Sequence, residues 1–369
     1  MSVRSAGGRT REIESLEEFD RLVAAGATSM RGWQVQALDL RDRDSALRRL
    51  DPAGSLFLGC RISAETADWM RDRGSLIFPE LPDVPFDAYR SQLYTAAELY
   101  AGLDEGYHRT FDARVFAWSR GVAASTSVRD TLAQALHDNS IDDALAEAIR
   151  GRRIVGVMGG HDLLRGDPAY VAAARLGRSL AGTGLTVATG GGPGAMEAAN
   201  LGAMLADHPS EALEAALARV ESVPSYTPSV TAWARVGFEA LEGLRTADRT
   251  LGVPTWFYGH EPPNPFAGRI AKYFKNAIRE DTLLHLCRAG IVFLPGAAGT
   301  VQEVFQAACE NYYAAPGAIA PMVLYDTAYW TDRLPAWPLL RKLADDHAMA
   351  GSVSLVDTPE EVVSVLAGS

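Results

Sequence analysis

The chain has 369 residues, 47% of them apolar and 22% charged, and carries a formal net charge of -11. This composition suits a soluble globular protein of one large domain or two ordinary ones, and two are expected. The acidic balance argues against a nucleic-acid polymer or a membrane as partner, since both need an extended basic surface, whereas a small anionic ligand needs only a local site.

The first stretch, MSVRSAGGRTREIESLEEFD, lacks the apolar centre of a signal peptide, and no run of about 18 apolar residues occurs in the sequence. The expected compartment is therefore the cytoplasm. Cys60, Cys287 and Cys309 are an odd number and form no CxxC pair. They predict buried reduced thiols, with no disulfide framework and no metal site.

Within residues 1–150, SLFLGC (55–60) predicts a strand, SAETADWMRDRG (63–74) a helix and SLIFPEL (75–81) a second strand. The stretches 89–103 and 130–149 have helical patterns. A small α/β domain of unknown role is expected here, ending near Gly151.

From residue 152 onward short apolar runs alternate with helical patterns. RRIVGVMGG (152–160) reads as a buried strand stopping at two glycines, and PAYVAAARLGRSLAGTG (168–184) as a helix. LTVATGGGPGAMEAANLGAML (185–205) gives a strand, a glycine loop and another helix. Residues 206–249 form a helical excursion with a Ser/Pro break, either a lid or oligomer contact or a solvated elaboration. Strands at 250–259, 289–296 and 321–326 follow, with helices at about 266–288, 300–313 and 359–366. This alternation predicts a Rossmann-like three-layer α/β domain with a parallel sheet over residues 151–369.

In such a sheet the ligand lies beyond the carboxyl ends of the strands. Three loops should converge there: Gly159 to His161, Gly190 to Gly194, and Pro295 to Thr300. The glycines let backbone amides approach an anion, and each following helix adds its positive end. The spacing fits neither the GxGxxG dinucleotide fingerprint nor a GxxxxGK[ST] phosphate loop. Thr300 and Glu303 also fit the S/T-x-x-E capping box, in which the glutamate only satisfies a helix start. On the expected helix 266–288, Arg269, Lys272, Asn276 and Arg279 share one face, which reads either as a solvated face or as part of the site.

Together these residues carry a resemblance. GGGPGAME (190–197) and PGAAGTVQE (295–303), with Arg279 ahead of them, resemble the paired GGGxGxM and PGGxGTxxE motifs of the Lonely Guy (LOG) family of nucleoside 5'-monophosphate phosphoribohydrolases. GGHD (159–162), GPGAMEA and EPPNP (261–265) are similar to the longer bacterial pyrimidine/purine nucleotide 5'-monophosphate nucleosidases. The resemblance spans about residues 152–366 without the excursion.

It implies hydrolysis of the N-glycosidic bond of a nucleoside 5'-monophosphate to free base and ribose 5-phosphate, with no cofactor and no metal. Glu303 and Arg279 would be the catalytic pair, the carboxylate stabilising an oxocarbenium-like ribose and orienting water. Arg279 would hold the phosphate or assist the leaving base. The amides of Gly296, Gly299 and Thr300 would cradle the phosphate. Glu197 would bind ribose hydroxyls and His161 base or sugar, with Gly160, Gly191, Gly192, Gly194, Met196 and Ala297 completing the site.

A homodimer or larger homo-oligomer is also implied. Ala297 stands where the pattern has a second glycine, and Glu280 where many members have lysine. The alternative function is a non-catalytic nucleotide or phosphorylated-cofactor binding or carrier protein on the same loops. A pyridoxal-phosphate decarboxylase is disfavoured because no lysine sits in a recognisable setting.

Overall fold

The computed structural model describes residues 10–124, 127–257 and 261–367. The chain divides into two compact units that alternate along the sequence: Met1–Gln92 with Ser125–Ala144, and Leu93–Ala124 with Leu145–Ser369. The chain thus passes between units three times, not once near Gly151.

The smaller unit holds a parallel sheet of β1 (Arg11–Ile13), β2 (Trp33–Gln36), β3 (Leu56–Leu58) and β4 (Leu76–Phe78), in that order. Its core gathers Ile13, Phe19, Val35, Leu47, Phe57 and Met70. Serines start two of its helices: Ser15 caps Leu16–Ala24 by accepting from the Glu18 amide, and Ser63 caps Ala64–Arg71 by accepting from the Thr66 amide. The long helix Val128–Ala148 lies where the pattern of 130–149 placed it.

The larger unit is built on seven parallel strands: β5 (Ile154–Met158), β6 (Thr186–Thr189), β7 (Thr250–Gly252), β8 (Arg269–Ile270), β9 (Ile291–Phe293), β10 (Met322–Tyr325) and β11 (Val353–Val356). They lie in the order β11-β10-β9-β5-β6-β7-β8, with Ile154 opposite Thr186 on one side of β5 and Gly156 opposite Ile291 on the other. This is a doubly wound α/β sheet. Its direction of winding reverses between β5 and β9, so a crevice opens at their carboxyl ends.

β5, β6 and β9 are buried throughout, as continuous apolar runs require when helices cover both faces.

Three expectations are corrected. The helix expected at 266–288 begins at Asn276 and ends at Leu286. Residues before it are drawn into β8, where Arg269 and Ile270 pair with β7, and Ile270 exchanges backbone hydrogen bonds with Tyr94. The shared cationic face therefore does not exist. Lys272 is instead buried, its Nζ donating to Asp112 Oδ1 over 2.5 Å.

Within 89–103 only Ala96–Leu99 is α-helical, following the extended pairing at Tyr94, and Leu103 opens a 3-10 turn. The strand expected at 250–259 ends at Gly252, ahead of Pro254, and residues 258–260 lie outside the described residues.

The excursion forms helices Ser210–Glu221 and Val230–Glu239, whose Leu213, Leu217, Val220 and Val236 join the unit's main core. It is a packed part of the fold.

Candidate functional site

The crevice at the sheet's switch point holds a cavity of about 800 Å³. The loop after β5 supplies Gly160 and His161, and the loop after β9 supplies Gly296, Ala297, Gly299 and Thr300. Met196, Arg279 and Glu303 complete the sequence-predicted residues on its walls.

The loops interlock through glycine. Gly160 donates its N–H to the Pro295 carbonyl over 3.0 Å. A Cβ on Gly296 would lie 2.1 Å from Thr300 Oγ1, and one on Gly194, whose φ is +72°, would lie 2.5 Å from the Gly160 carbonyl oxygen. Gly194 meets backbone and Gly296 meets the Thr300 side chain, both too closely for any residue with a Cβ.

Gly191 and Gly192 shape this floor without lining the cavity, and their loop is pinned by the EPPNP segment. The Asn264 amide N–H donates to the Gly191 carbonyl over 2.8 Å, and its Nδ2 donates to the Gly192 carbonyl and to Asn200 Oδ1. Thr189 Oγ1 donates to the same Asn200 oxygen and accepts from the Gly191 amide. Asn264 and Asn200 are fully buried, so the network is satisfied within the protein.

The helix Ala298–Tyr313 opens onto the cavity. Its N-cap is Ala297, at an ordinary φ of -87°, and no side chain caps it. The alanine therefore costs no left-handed backbone strain. The capping box is not formed: Thr300 already lies inside the first turn, and Glu303 lies a turn further on. The first-turn amides face the cavity end with the positive pole of the helix behind them.

Glu303 and Arg279 approach to 4.0 Å between Oε1 and Nη1, at 15% and 11% side-chain exposure. No hydrogen bond reaches the Glu303 carboxylate among the described residues, and Arg279 Nε is likewise buried without a partner. Burial pushes the Glu303 carboxyl up to about 7, against the pull of Arg279 and with a further push from Glu280. Glu280, in the place of the family's lysine, also lines the cavity. Its two oxygens accept from Asn276 Nδ2 over 2.7 Å and Gln302 Nε2 over 2.6 Å.

His161 stands between two acids, with Nε2 2.9 Å from Asp162 Oδ1 and Nδ1 3.5 Å from Glu261 Oε1. Glu197 is placed differently from the expectation that it meets ribose hydroxyls. Only 1% exposed, it binds the equally buried Arg165, whose Nε donates over 2.8 Å and whose Nη1 donates to the Trp233 carbonyl over 3.0 Å. Burial pushes this carboxyl up too, and the Arg165 guanidinium opposes the shift. Glu197 anchors the excursion rather than reaching the cavity. With Gly194 it borders a smaller hollow of about 240 Å³ that shares His161 and Asp162 with the main cavity.

Sequence reading missed Asp326, Tyr329 and Arg333, which line the far wall. They follow β10, and the positive φ of Asp326, 83°, begins the turn that brings them there. No glycine or spacing signal marks them.

Among the described residues no group of three or more His, Cys, Asp or Glu side chains is arranged to hold a metal ion. Nor is any helix among them long and apolar enough to cross a membrane. Cys60 and Cys287 are buried and Cys309 is exposed.

Comparison with known proteins finds a likeness for part of the chain. A family model described as the SLOG cluster4 family matches residues 152–208, the segment carrying β5, β6 and the first two glycine loops. No curated protein sequence matches.

Among solved structures, a molybdenum cofactor binding protein from the phototrophic bacterium Rippkaea orientalis is 20% identical, with 59% of this chain and 96% of that chain covered and a TM-score of 0.36. The structural-genomics target TM1055 is 19% identical, covering 59% and 99%, at 0.36. A Moco carrier protein from Chlamydomonas reinhardtii is 21% identical, covering 59% and 99%, at 0.34. At these scores the likeness carries no argument, and the fold is read from the strand order itself.

Proposed function

We propose that this protein binds a nucleoside 5'-monophosphate in the switch-point cavity and hydrolyses its N-glycosidic bond. One observation carries the reading: the Glu303 carboxyl, desolvated to an affinity for protons near neutral pH, lies 4.0 Å from Arg279 and one helical turn from an uncapped helix start. The helix start suits a phosphate. The carboxylate, in its ionised form, suits the positive charge that develops on the ribose as the bond to the base breaks, and can orient the attacking water. Arg279, beside the carboxylate, would assist the departing base as it gains electrons.

A second reading is a carrier for a larger phosphorylated ligand. It is favoured by the cavity's size, about 800 Å³, toward the upper end for small-molecule sites.

Purified protein incubated with a panel of nucleoside 5'-monophosphates and the matching nucleosides separates the two. Free base released from the monophosphates alone, and lost in Glu303→Gln and Arg279→Gln, is the expected result. Tight binding without base release would replace the hydrolase by the carrier.

A further inference from the structure

Resting on the reading that the cavity holds a phosphorylated ligand, we propose that Arg333, and not Arg279, is the side chain that grips the phosphate. Arg333 ends a π-helical turn, Tyr329–Arg333, a rare geometry that recurs at functional sites. This turn is fastened to the loop that leads into the uncapped helix. Trp330 Nε1 donates to the Phe293 carbonyl over 3.2 Å, and the Tyr329 hydroxyl donates to the Gly296 carbonyl over 2.8 Å. The Arg333 guanidinium lies 5.6 Å from the centre of the Tyr329 ring, one aromatic ring from Gly296. Among the described residues it makes no ion pair and no hydrogen bond, although it lines the cavity.

Arg279 is differently placed. Glu303 is 4.0 Å from it, and Glu280, next in the chain, is tied to the same helix through Gln302. A phosphate dianion beside Arg279 would meet two carboxylates. Beside Arg333 it would meet an uncommitted guanidinium and the amides of the first turn of Ala298–Tyr313. Asp326, the acid lining this wall, turns its Oδ1 to the Tyr329 amide at 2.9 Å and makes no ion pair with Arg333. The planar fork of arginine binds phosphate oxygens in pairs.

This placement orients the ligand. The phosphate lies at the Arg333 end, and the sugar extends along the helix toward Glu303, one turn or about 5 Å further.

The test is equilibrium binding of ribose 5-phosphate and AMP, with ribose and adenosine as phosphate-free controls, to the full chain. Arg333 is exposed, so its substitution leaves the core untouched. Arg333→Gln is expected to weaken both phosphorylated probes about tenfold to hundredfold, as loss of a charged hydrogen bond does. Arg333→Lys should recover part of that loss, and Arg341→Gln, outside the cavity, should leave binding unchanged. Unchanged binding in Arg333→Gln, or a larger loss in Arg279→Gln, would overturn the assignment while leaving the nucleotide site intact. Phosphate binding that depends on Arg333 without any base release would uphold it and remove the hydrolase reading. If the unmodified protein binds neither phosphorylated probe, both fall.

Discussion

Replacing Glu303 by glutamine tests the central feature of the site by equilibrium stability as well as by activity. The glutamine keeps the shape of the protonated acid and cannot ionise. In the folded protein the Glu303 carboxyl titrates at about 7, against an ordinary 4.5. A displacement of that size corresponds to about 3 kcal/mol between its two protonation states.

Because the folded value is raised, the stabilising contribution is fully present below pH 4.5 and is lost as the pH rises through about 7. The unmodified protein should therefore lose about 3 kcal/mol between pH 4.5 and pH 8 from this group, and Glu303→Gln should not. Urea denaturation of both proteins across that range measures the difference, in which any pH-independent effect of the substitution on Arg279 cancels. Parallel stability profiles would show that Glu303 ionises normally and would remove the physical basis for its catalytic role. Hydrolysis by the unmodified protein should rise across the same interval, since the ionised form faces the developing cation.

Glu280→Gln removes a like charge from beside Glu303, so the midpoint of that activity rise should move to lower pH. An unmoved midpoint would show that burial alone sets it. Asn264→Ala strips the hydrogen bonds that hold the Gly190–Gly194 loop and leaves Asn200 and Gly192 short of partners, at a cost of about 1–3 kcal/mol by denaturant titration. Its KM should also rise. Asp112→Ala leaves Lys272 charged and buried at 2% exposure with its partner gone, and should destabilise by about 3–5 kcal/mol, read as a lower Tm. Ala297→Asp should cap the bare helix and stabilise the fold by about 0.5–2 kcal/mol, while abolishing nucleotide binding because its carboxylate takes the phosphate's place.

The larger sheet was legible because its strands are buried on both faces, so Ile154–Met158 and Ile291–Phe293 stand out as apolar runs. The strands that sequence reading missed lack that signature. β1 exposes two of its three residues, β2 interposes glutamines, and β8 is two residues long. The false helix at 266–275 arose from cations whose spacing happened to be helical. What decides that segment is non-local: Lys272 meets Asp112 from 160 residues away, and Ile270 pairs with Tyr94. Local periodicity carries no trace of either contact.

The glycine loops were readable for the opposite reason, since close backbone approach leaves its mark directly on residue type. Glu197 and Arg333 exchanged places between sequence and structure. The glutamate of a glycine motif was expected in the cavity and is held by Arg165 in the interior. Arg333, with no motif to mark it, reaches the cavity because a π-turn pinned by Tyr329 and Trp330 carries it there.

The segment Pro295 to Glu303 shows how a three-residue shift in the helix start decides between structure and chemistry. Had the helix begun with Thr300 as its cap, Glu303 would sit in the third helical position, and its carboxylate would be spent on the Thr300 amide. The helix instead begins at Ala298, with Ala297 at the cap position. Two groups are released by that earlier start. The first-turn amides have no side-chain acceptor, and the Glu303 carboxylate, now beyond their reach, turns toward Arg279. Thr300 is held inside the turn by its packing against Gly296, where a single added carbon would lie 2.1 Å from the hydroxyl oxygen. A cap worth about 1 kcal/mol is thereby given up. What the site gains is an anion-binding helix end and a desolvated carboxylate on one rigid element, one turn apart.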